Sequence, residues 1–174
     1  MAFTAALRAH EDRRRWPAQA APGDRSDLVW RATDRWVGRT TGRWPLSVST
    51  DRIGVTALRA AYLLETWEAA RGPIDRSGMT GPVIEVYPAA ARRAWGLGRV
   101  RSVAEIEEQL PIDFSQVTDR QTCETSEHAF DALVAALVAR AAALGRTTPP
   151  PEPLLALAAV EGWIHVPVCA PNDL

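Results

Sequence analysis

The chain has 174 residues, 47% of them hydrophobic, and its formal net charge is -1. This length suits one domain spanning residues 1–174, and this hydrophobic content supports a buried core and excludes a disordered chain. A nearly neutral chain has no overall field that draws it to nucleic acid or membranes, so contact with either needs a local patch. All 20 basic residues are arginine.

Cysteine usage and apolar stretches indicate an intracellular protein. Cys123 and Cys169 stand alone in the sequence and predict neither a disulfide framework nor a zinc site. The segment from Met1 to Trp16 is interrupted by charged residues and does not read as a signal peptide. The longest apolar stretch, Ala129 to Leu144, contains two charged residues and predicts no membrane span. We therefore expect a cytoplasmic protein with no membrane partner.

The first part of the chain predicts helices. Apolar spacing indicates a helix from Phe3 to Arg15. A short helix capped by Thr33 follows and ends at Gly42. Asp51 is a plausible cap for a longer helix, which Gly72-Pro73 ends.

The middle of the chain contains the clearest strand. Val83 to Tyr87 is short, rich in β-branched residues and bounded by prolines. A short helix follows from Ala89 to Trp95. Ser102-x-x-Glu105 is a capping box, and it opens a helix with an inward apolar face. The inward residues are Val103, Ile106 and Leu110.

The last part of the chain predicts the longest helix, from Glu127 to Leu144, which Gly145 ends. Thr147 to Pro153 is a proline-rich linker. Leu154 to Val160 is predicted as helical, and Trp163 to Val166 as a final short strand.

These elements define an α/β class with a shortage of strands. Two short strands make a marginal sheet, and strands that alternate with helices usually form a larger parallel one. Because the chain begins in a predicted helix, we expect that strands normally preceding Met1 are missing. An exposed sheet edge would then favour homo-oligomers. The alternative is an ordinary, mostly helical domain.

Familiar catalytic motifs are absent from the sequence. It has no nucleophile elbow, no Walker A loop and no dinucleotide-binding glycine motif. His10, His128 and His165 show no metal-ligand spacing, and His165 alternates with apolar residues near the end of the chain. We expect all three to be structural. The acids are left as the main candidates for chemistry.

Glu85 lies in the middle of the predicted strand, between Ile84 and Val86, which point to the opposite face. Burying a lone carboxylate is costly unless it is paired or binds a cation. Glu85 therefore either holds a cation or lies on an edge strand in water.

Asp131 flanks the apolar face of the longest helix, and Glu127 lies one turn earlier on the same side. Two like charges at this spacing repel, and a bound cation would remove the repulsion. Acids near a helix N-terminus are also favoured by the helix dipole without any function. Together with Glu85, these acids predict a site for Mg²⁺ or Mn²⁺, because such hard ions prefer carboxylate oxygens.

Arg31, Asp34 and Arg35 place two guanidinium groups around one acid. One interpretation is a phosphate-binding motif in which Asp34 orients an arginine. The other is an ion pair at the start of a helix, which contributes little to stability.

Four segments in this order resemble the family of domains of unknown function numbered 429, described as predicted nucleases with an RNase H-like fold. The segments are Arg31 to Gly54, Ile84 to Leu97, Phe130 to Gly145 and Glu161 to Pro167. The resemblance implies an α/β core with a central mixed sheet, flanking helices and an acidic metal site.

On this pattern Glu85 and Asp131 match the family's acids, and Arg31, Asp34 and Arg35 match its arginine motif. The family's first strand, with its acid, has no counterpart in this chain, and Glu127-His128 stands where relatives often carry an acidic pair. The first hypothesis is a phosphodiester hydrolase with Glu85, Asp131 and Glu127 as ligands of Mg²⁺ or Mn²⁺, acting on nucleic acid. The second is a non-catalytic remnant, or a module that binds nucleic acid or protein. A third is an enzyme that uses the same acids on a small molecule.

Overall fold

The computed structural model describes residues 29–46, 53–98, 101–110 and 120–174. These residues form a mixed α/β fold, which confirms the predicted class. The predicted helix from Phe3 to Arg15 and the cap at Asp51 lie outside the described residues. In chain order the elements are α1 (Ala32–Thr41), α2 (Gly54–Arg71), β1 (Glu85–Val86), α3 (Pro88–Ala94), α4 (Val103–Glu107), α5 (Arg120–Thr125), α6 (Glu127–Ala143), α7 (Leu155–Glu161) and β2 (Ile164–His165).

Strands β1 and β2 pair in parallel, with Glu85 opposite Ile164 and Val86 opposite His165. Each strand has two residues, and no further strand joins them within the described ranges. Such a short pair is marginal alone, so the helices packed on its two faces must stabilise it. The predicted oligomer through a sheet edge stays a prediction.

The two faces of β1 belong to two separate apolar clusters. Ile84 and Val86 pack against the larger cluster, which is centred on α6. Tyr87 packs against the smaller cluster, which contains Val37 of α1. Because side chains alternate along a strand, Glu85 projects from the same face as Tyr87, towards α1.

The larger cluster confirms the predicted inward face of α4 and contains the apolar face of α6. Ser102 caps α4, since its hydroxyl accepts a hydrogen bond from the Glu105 backbone N–H at 3.2 Å. Val103 and Ile106 are fully buried and Leu110 nearly so. The α6 contribution comes from Phe130, Val134, Leu137, Val138 and Ala141, which recur at helical spacing.

Helix α1 begins one residue before the predicted cap. Its N-cap is Arg31, so the prediction that Thr33 caps the helix is wrong. The Thr33 side chain is fully buried, and its hydroxyl accepts a hydrogen bond from the backbone N–H of Ile164 at 2.8 Å. Thr33 therefore joins α1 to β2 instead of ending the helix.

The loop before β1 is organised by Asp75. Its carboxylate accepts hydrogen bonds from the backbone N–H and hydroxyl groups of Ser77 and Thr80, at 2.6 to 3.0 Å. Gly78 follows in the left-handed region with φ 68°. A Cβ at Gly78 would overlap the imidazole of His165, so the loop and β2 touch at a point where only glycine fits.

Helix α2 projects large apolar side chains outward, since Val55, Leu58, Tyr62 and Leu63 are each about two-thirds exposed. Among the described elements, no helix combines the length and apolar character needed to cross a membrane.

Candidate functional site

Arg31 joins two of the other predicted site residues, Asp34 and Glu85. Its guanidinium bonds to the Glu85 carboxylate through both Nη atoms, at 2.8 and 2.6 Å, and to the Asp34 carboxylate through Nε and Nη2, at 3.1 and 2.9 Å. Nη1 also donates to the backbone carbonyl of Glu161 at 3.2 Å. An arginine has five N–H donors, and these five bonds engage all of them.

Asp34 is placed by the start of α1. It is the third residue of the helix, and its carboxylate accepts a hydrogen bond from the Arg31 backbone N–H at 2.9 Å. An acid at this position completes a capping arrangement and is favoured by the helix dipole. Because the Asp34 side chain is only 2% exposed, its charge is compensated almost entirely by Arg31.

Glu161, at the end of α7, is a fourth member of this group. Its carboxylate accepts a hydrogen bond from the Ala32 backbone N–H at 3.0 Å, which satisfies another donor at the start of α1. The next residue, Gly162, runs beside Glu85, and a Cβ there would lie 2.9 Å from a Glu85 carboxylate oxygen. We call Arg31, Asp34, Glu85 and Glu161 the Arg31 cluster.

The two bonded carboxylates stabilise the charged form of the Arg31 guanidinium. Burial alone would lower the pKa of the Arg31 guanidinium, but the hydrogen bonds and charges of Glu85 and Asp34 raise that pKa well above its ordinary value. The Glu85 side chain is 37% exposed, whereas that of Arg31 is 16% exposed. Two carboxylates bond to the guanidinium, and the one that is partly exposed to solvent belongs to Glu85.

Asp131 and Glu127 lie on α6, apart from the Arg31 cluster. Burial and the neighbouring charge of Glu127 raise the pKa of the Asp131 carboxyl, against the opposing charges of Arg92, His128 and Arg101. Helix α6 packs against the Ile84 and Val86 face of β1, and Glu85 bonds to Arg31 on the other face. The structure therefore brings Glu85, Arg31 and Asp34 together and does not bring Asp131 into contact with them.

Arg35, the second arginine of the motif, bonds to the backbone before α1. Its guanidinium donates to the backbone carbonyl of Trp30 at 3.0 Å.

The described ranges contain no preformed group of metal ligands. No set of three or more histidine, cysteine, aspartate or glutamate residues within those ranges is arranged to hold one. Glu85 offers one carboxylate that is already bonded to a cation, Arg31. A divalent ion needs several oxygen ligands at one point.

Sequence reasoning missed Glu161, Gly162 and the link made by Thr33. The segment containing Glu161 and Gly162 carried only a family resemblance and no chemical role. The signal that could have found them is the helix start at Arg31, whose unsatisfied N–H groups require acceptors from another part of the chain.

Comparison with known proteins identifies a family without an assigned activity. The model of the family described as "Protein of unknown function (DUF429)" matches residues 14–154, which is most of the chain. The chain belongs to this family. No curated protein and no solved structure matches it.

Proposed function

We propose that this chain is a non-catalytic binding module on an RNase H-like α/β scaffold, in which the Arg31 cluster has a structural role. The observation that carries this proposal is the complete use of the five Arg31 N–H donors by Asp34, Glu85 and the Glu161 carbonyl. An arginine in this state has no donor left for a phosphate group.

The position of the Arg31 cluster supports a structural role. It ties the start of α1 to β1 and to the end of α7, three segments that are distant in sequence. Removing one partner of a largely buried ion pair leaves an uncompensated charge, which strongly destabilises a fold. A cluster that holds three elements in place explains why these residues occur together without any catalytic step.

The proposal is tested by assaying cleavage with the purified chain. Single- and double-stranded DNA and RNA are incubated with Mg²⁺ or Mn²⁺, and Glu85→Gln and Asp131→Asn variants are assayed beside the wild type. We expect no metal-dependent cleavage by any of the three proteins, together with a lower melting temperature for Glu85→Gln. Cleavage by the wild type that a folded Asp131→Asn or Glu85→Gln variant loses would overturn the proposal.

The second candidate is a metal-dependent phosphodiester hydrolase with Glu85, Asp131 and Glu127 as ligands of Mg²⁺ or Mn²⁺. Two observations favour it: Glu85 is held in place by Arg31 and is 37% exposed, and the pKa of Asp131 is raised by burial and by the neighbouring charge of Glu127. A nearby cation would lower that pKa. In this candidate Arg31, Asp34 and Arg35 position phosphate, which requires Arg31 to exchange a carboxylate partner for the substrate.

Calorimetric titration with Mn²⁺ separates the two candidates without an activity assay. The hydrolase predicts saturable binding that Asp131→Asn weakens, whereas the binding module predicts the same weak heat for the wild type and the variant. Asp131 is suited to this test because its side chain takes no part in the Arg31 cluster, so the variant leaves the structural bonds intact.

A further inference from the structure

A cleft of about 460 Å³ opens between the last turn of α1, the end of α3 and the chain near Thr148 and Val166. It shares no lining residue with the Arg31 cluster. Its volume falls within the range of small-molecule sites in proteins, roughly 300–1,000 Å³. Its walls include Trp36, Thr40, Gly42, Arg93, Thr148 and Val166.

Arg93 gives the cleft a positive charge. Within the described part of the chain its guanidinium takes part in no hydrogen bond or ion pair, and none of the described lining residues is acidic. The side chain lies along the end of α1, because a Cβ built at Gly42 would be 3.6 Å from an Arg93 Nη atom. Gly42 lies in the left-handed region with φ 68° and ends α1 there. Arg93 itself is an exposed residue.

Trp36 is the aromatic residue that lines the cleft. Its ring centroid lies 5.2 Å from that of the fully buried Trp163, with 50° between the ring planes. This contact fixes Trp36 in place while part of its surface lines the cleft. Beside it, the Thr40 hydroxyl donates to the Trp36 carbonyl at 2.8 Å, which leaves the oxygen of Thr40 free to accept a further hydrogen bond.

We propose that this cleft binds a single nucleotide unit, with its base against Trp36 and its phosphate on Arg93. Arginine binds phosphate through paired, charge-assisted N–H···O bonds, and aromatic side chains stack on bases of any sequence. The Thr40 oxygen accepts from an exocyclic amino group. The same chemistry is presented by a free nucleoside monophosphate and by the 5′-phosphorylated end of a strand.

Calorimetry and tryptophan fluorescence test this site with 5′-AMP, adenosine and inorganic phosphate. A short oligodeoxynucleotide is also tested, once with and once without a 5′-phosphate. We expect 5′-AMP to bind more tightly than adenosine or phosphate, because only 5′-AMP engages both walls. Arg93→Gln should weaken 5′-AMP binding about tenfold, the loss for one charge-assisted contact of about 1.4 kcal/mol. Trp36→Phe should weaken adenosine and 5′-AMP binding alike.

Arg59→Gln is the matched control, because Arg59 is an exposed arginine on α2, outside the cleft. It should leave 5′-AMP binding unchanged, and the melting temperature of each variant verifies its fold.

Equal affinity for 5′-AMP and the phosphorylated strand identifies a site for nucleotides and strand ends alike, whereas tighter strand binding identifies a strand-end site. The site would be rejected if neither 5′-AMP nor the phosphorylated strand bound at millimolar concentration, or if Arg93→Gln left their binding unchanged. Neither result bears on the Arg31 cluster, so this site and the proposed structural role fail independently.

Discussion

Arg31 and Glu85, which are 54 positions apart in the sequence, form a bidentate ion pair through two N–H···O bonds of 2.8 and 2.6 Å. Paired bonds of this kind fix both the distance and the orientation of the two groups. The carboxylate that the sequence indicated as a metal ligand is therefore held by an arginine that the sequence assigned to phosphate.

Replacing Arg31 should destabilise the fold more than replacing Glu85. Arg31→Gln removes the cation that pairs with both Asp34 and Glu85, whereas Glu85→Gln leaves Arg31 paired with Asp34. We expect Glu85→Gln to lower the free energy of unfolding by about 2 kcal/mol, less than for a fully buried pair because Glu85 is partly exposed. Urea denaturation measures both values. Glu65→Gln on exposed α2 serves as a control, and equal losses for the two Arg31-cluster variants would contradict the expected order.

Asp131 should lower stability at neutral pH. Its folded-state pKa is raised by burial and by Glu127, so the unfolded chain ionises it at lower pH than the folded chain does. The free energy of unfolding is therefore at its full value below the unfolded-state pKa of Asp131, and it falls as pH rises through the raised folded-state pKa. Asp131→Asn should melt at the same temperature as the wild type, or higher, at pH 7. In carboxyl NMR titrations, Glu127→Gln should lower the Asp131 pKa, and no change would exclude the proposed coupling.

Asp75 should show the opposite dependence on pH. Burial opposes its charge, but the hydrogen bonds from Ser77 and Thr80 outweigh burial and lower its pKa below the ordinary value. The stability that it contributes is present above the unfolded-state pKa and is lost as pH falls through the folded-state pKa. Asp75→Asn should therefore reduce the melting temperature at pH 7 and approach the wild-type value in strong acid. Parallel melting curves at all pH values would show that Asp75 does not stabilise the loop through its charge.

Gly78→Ala and Gly81→Ala form a matched pair. Both glycines have positive φ, 68° and 89°, so alanine carries a backbone cost of about 1–2 kcal/mol at either position. Only Gly78 also meets a neighbour, His165, whereas nothing lies within 4 Å of a Cβ at Gly81. Gly78→Ala should therefore destabilise the protein more than Gly81→Ala in thermal denaturation. Equal effects would mean that the loop moves away from β2 at little cost.

Local signals predicted most of the described elements. The capping box at Ser102, the strand around Glu85 and the long helix from Glu127 all depend on residues a few positions apart. His165 is buried between the Thr147 hydroxyl and the Ser77 carbonyl. A ring nitrogen beside a carbonyl must donate, which assigns the proton to Nε2 and agrees with the structural role expected for it.

The arrangement of the candidate site could not be predicted in the same way. Whether Glu85 faces α1 or α6 depends on which face of a two-residue strand each helix covers, and no local pattern encodes this. Thr33 illustrates the same limit, because a threonine near a helix start is normally a cap. Here the start of α1 is satisfied by Asp34 and Glu161 instead, which leaves Thr33 to bond to β2.

The alternation along β1 also protects the fold against misassembly. A slip of the strand by one position would exchange its two faces, placing the Glu85 charge among the apolar side chains around Phe130 and turning Ile84 towards Arg31. A strand of two residues has too few backbone bonds to exclude such a slip by itself. Because a shifted alignment would break the ion pair with Arg31, this contact favours the observed alignment over the shifted one.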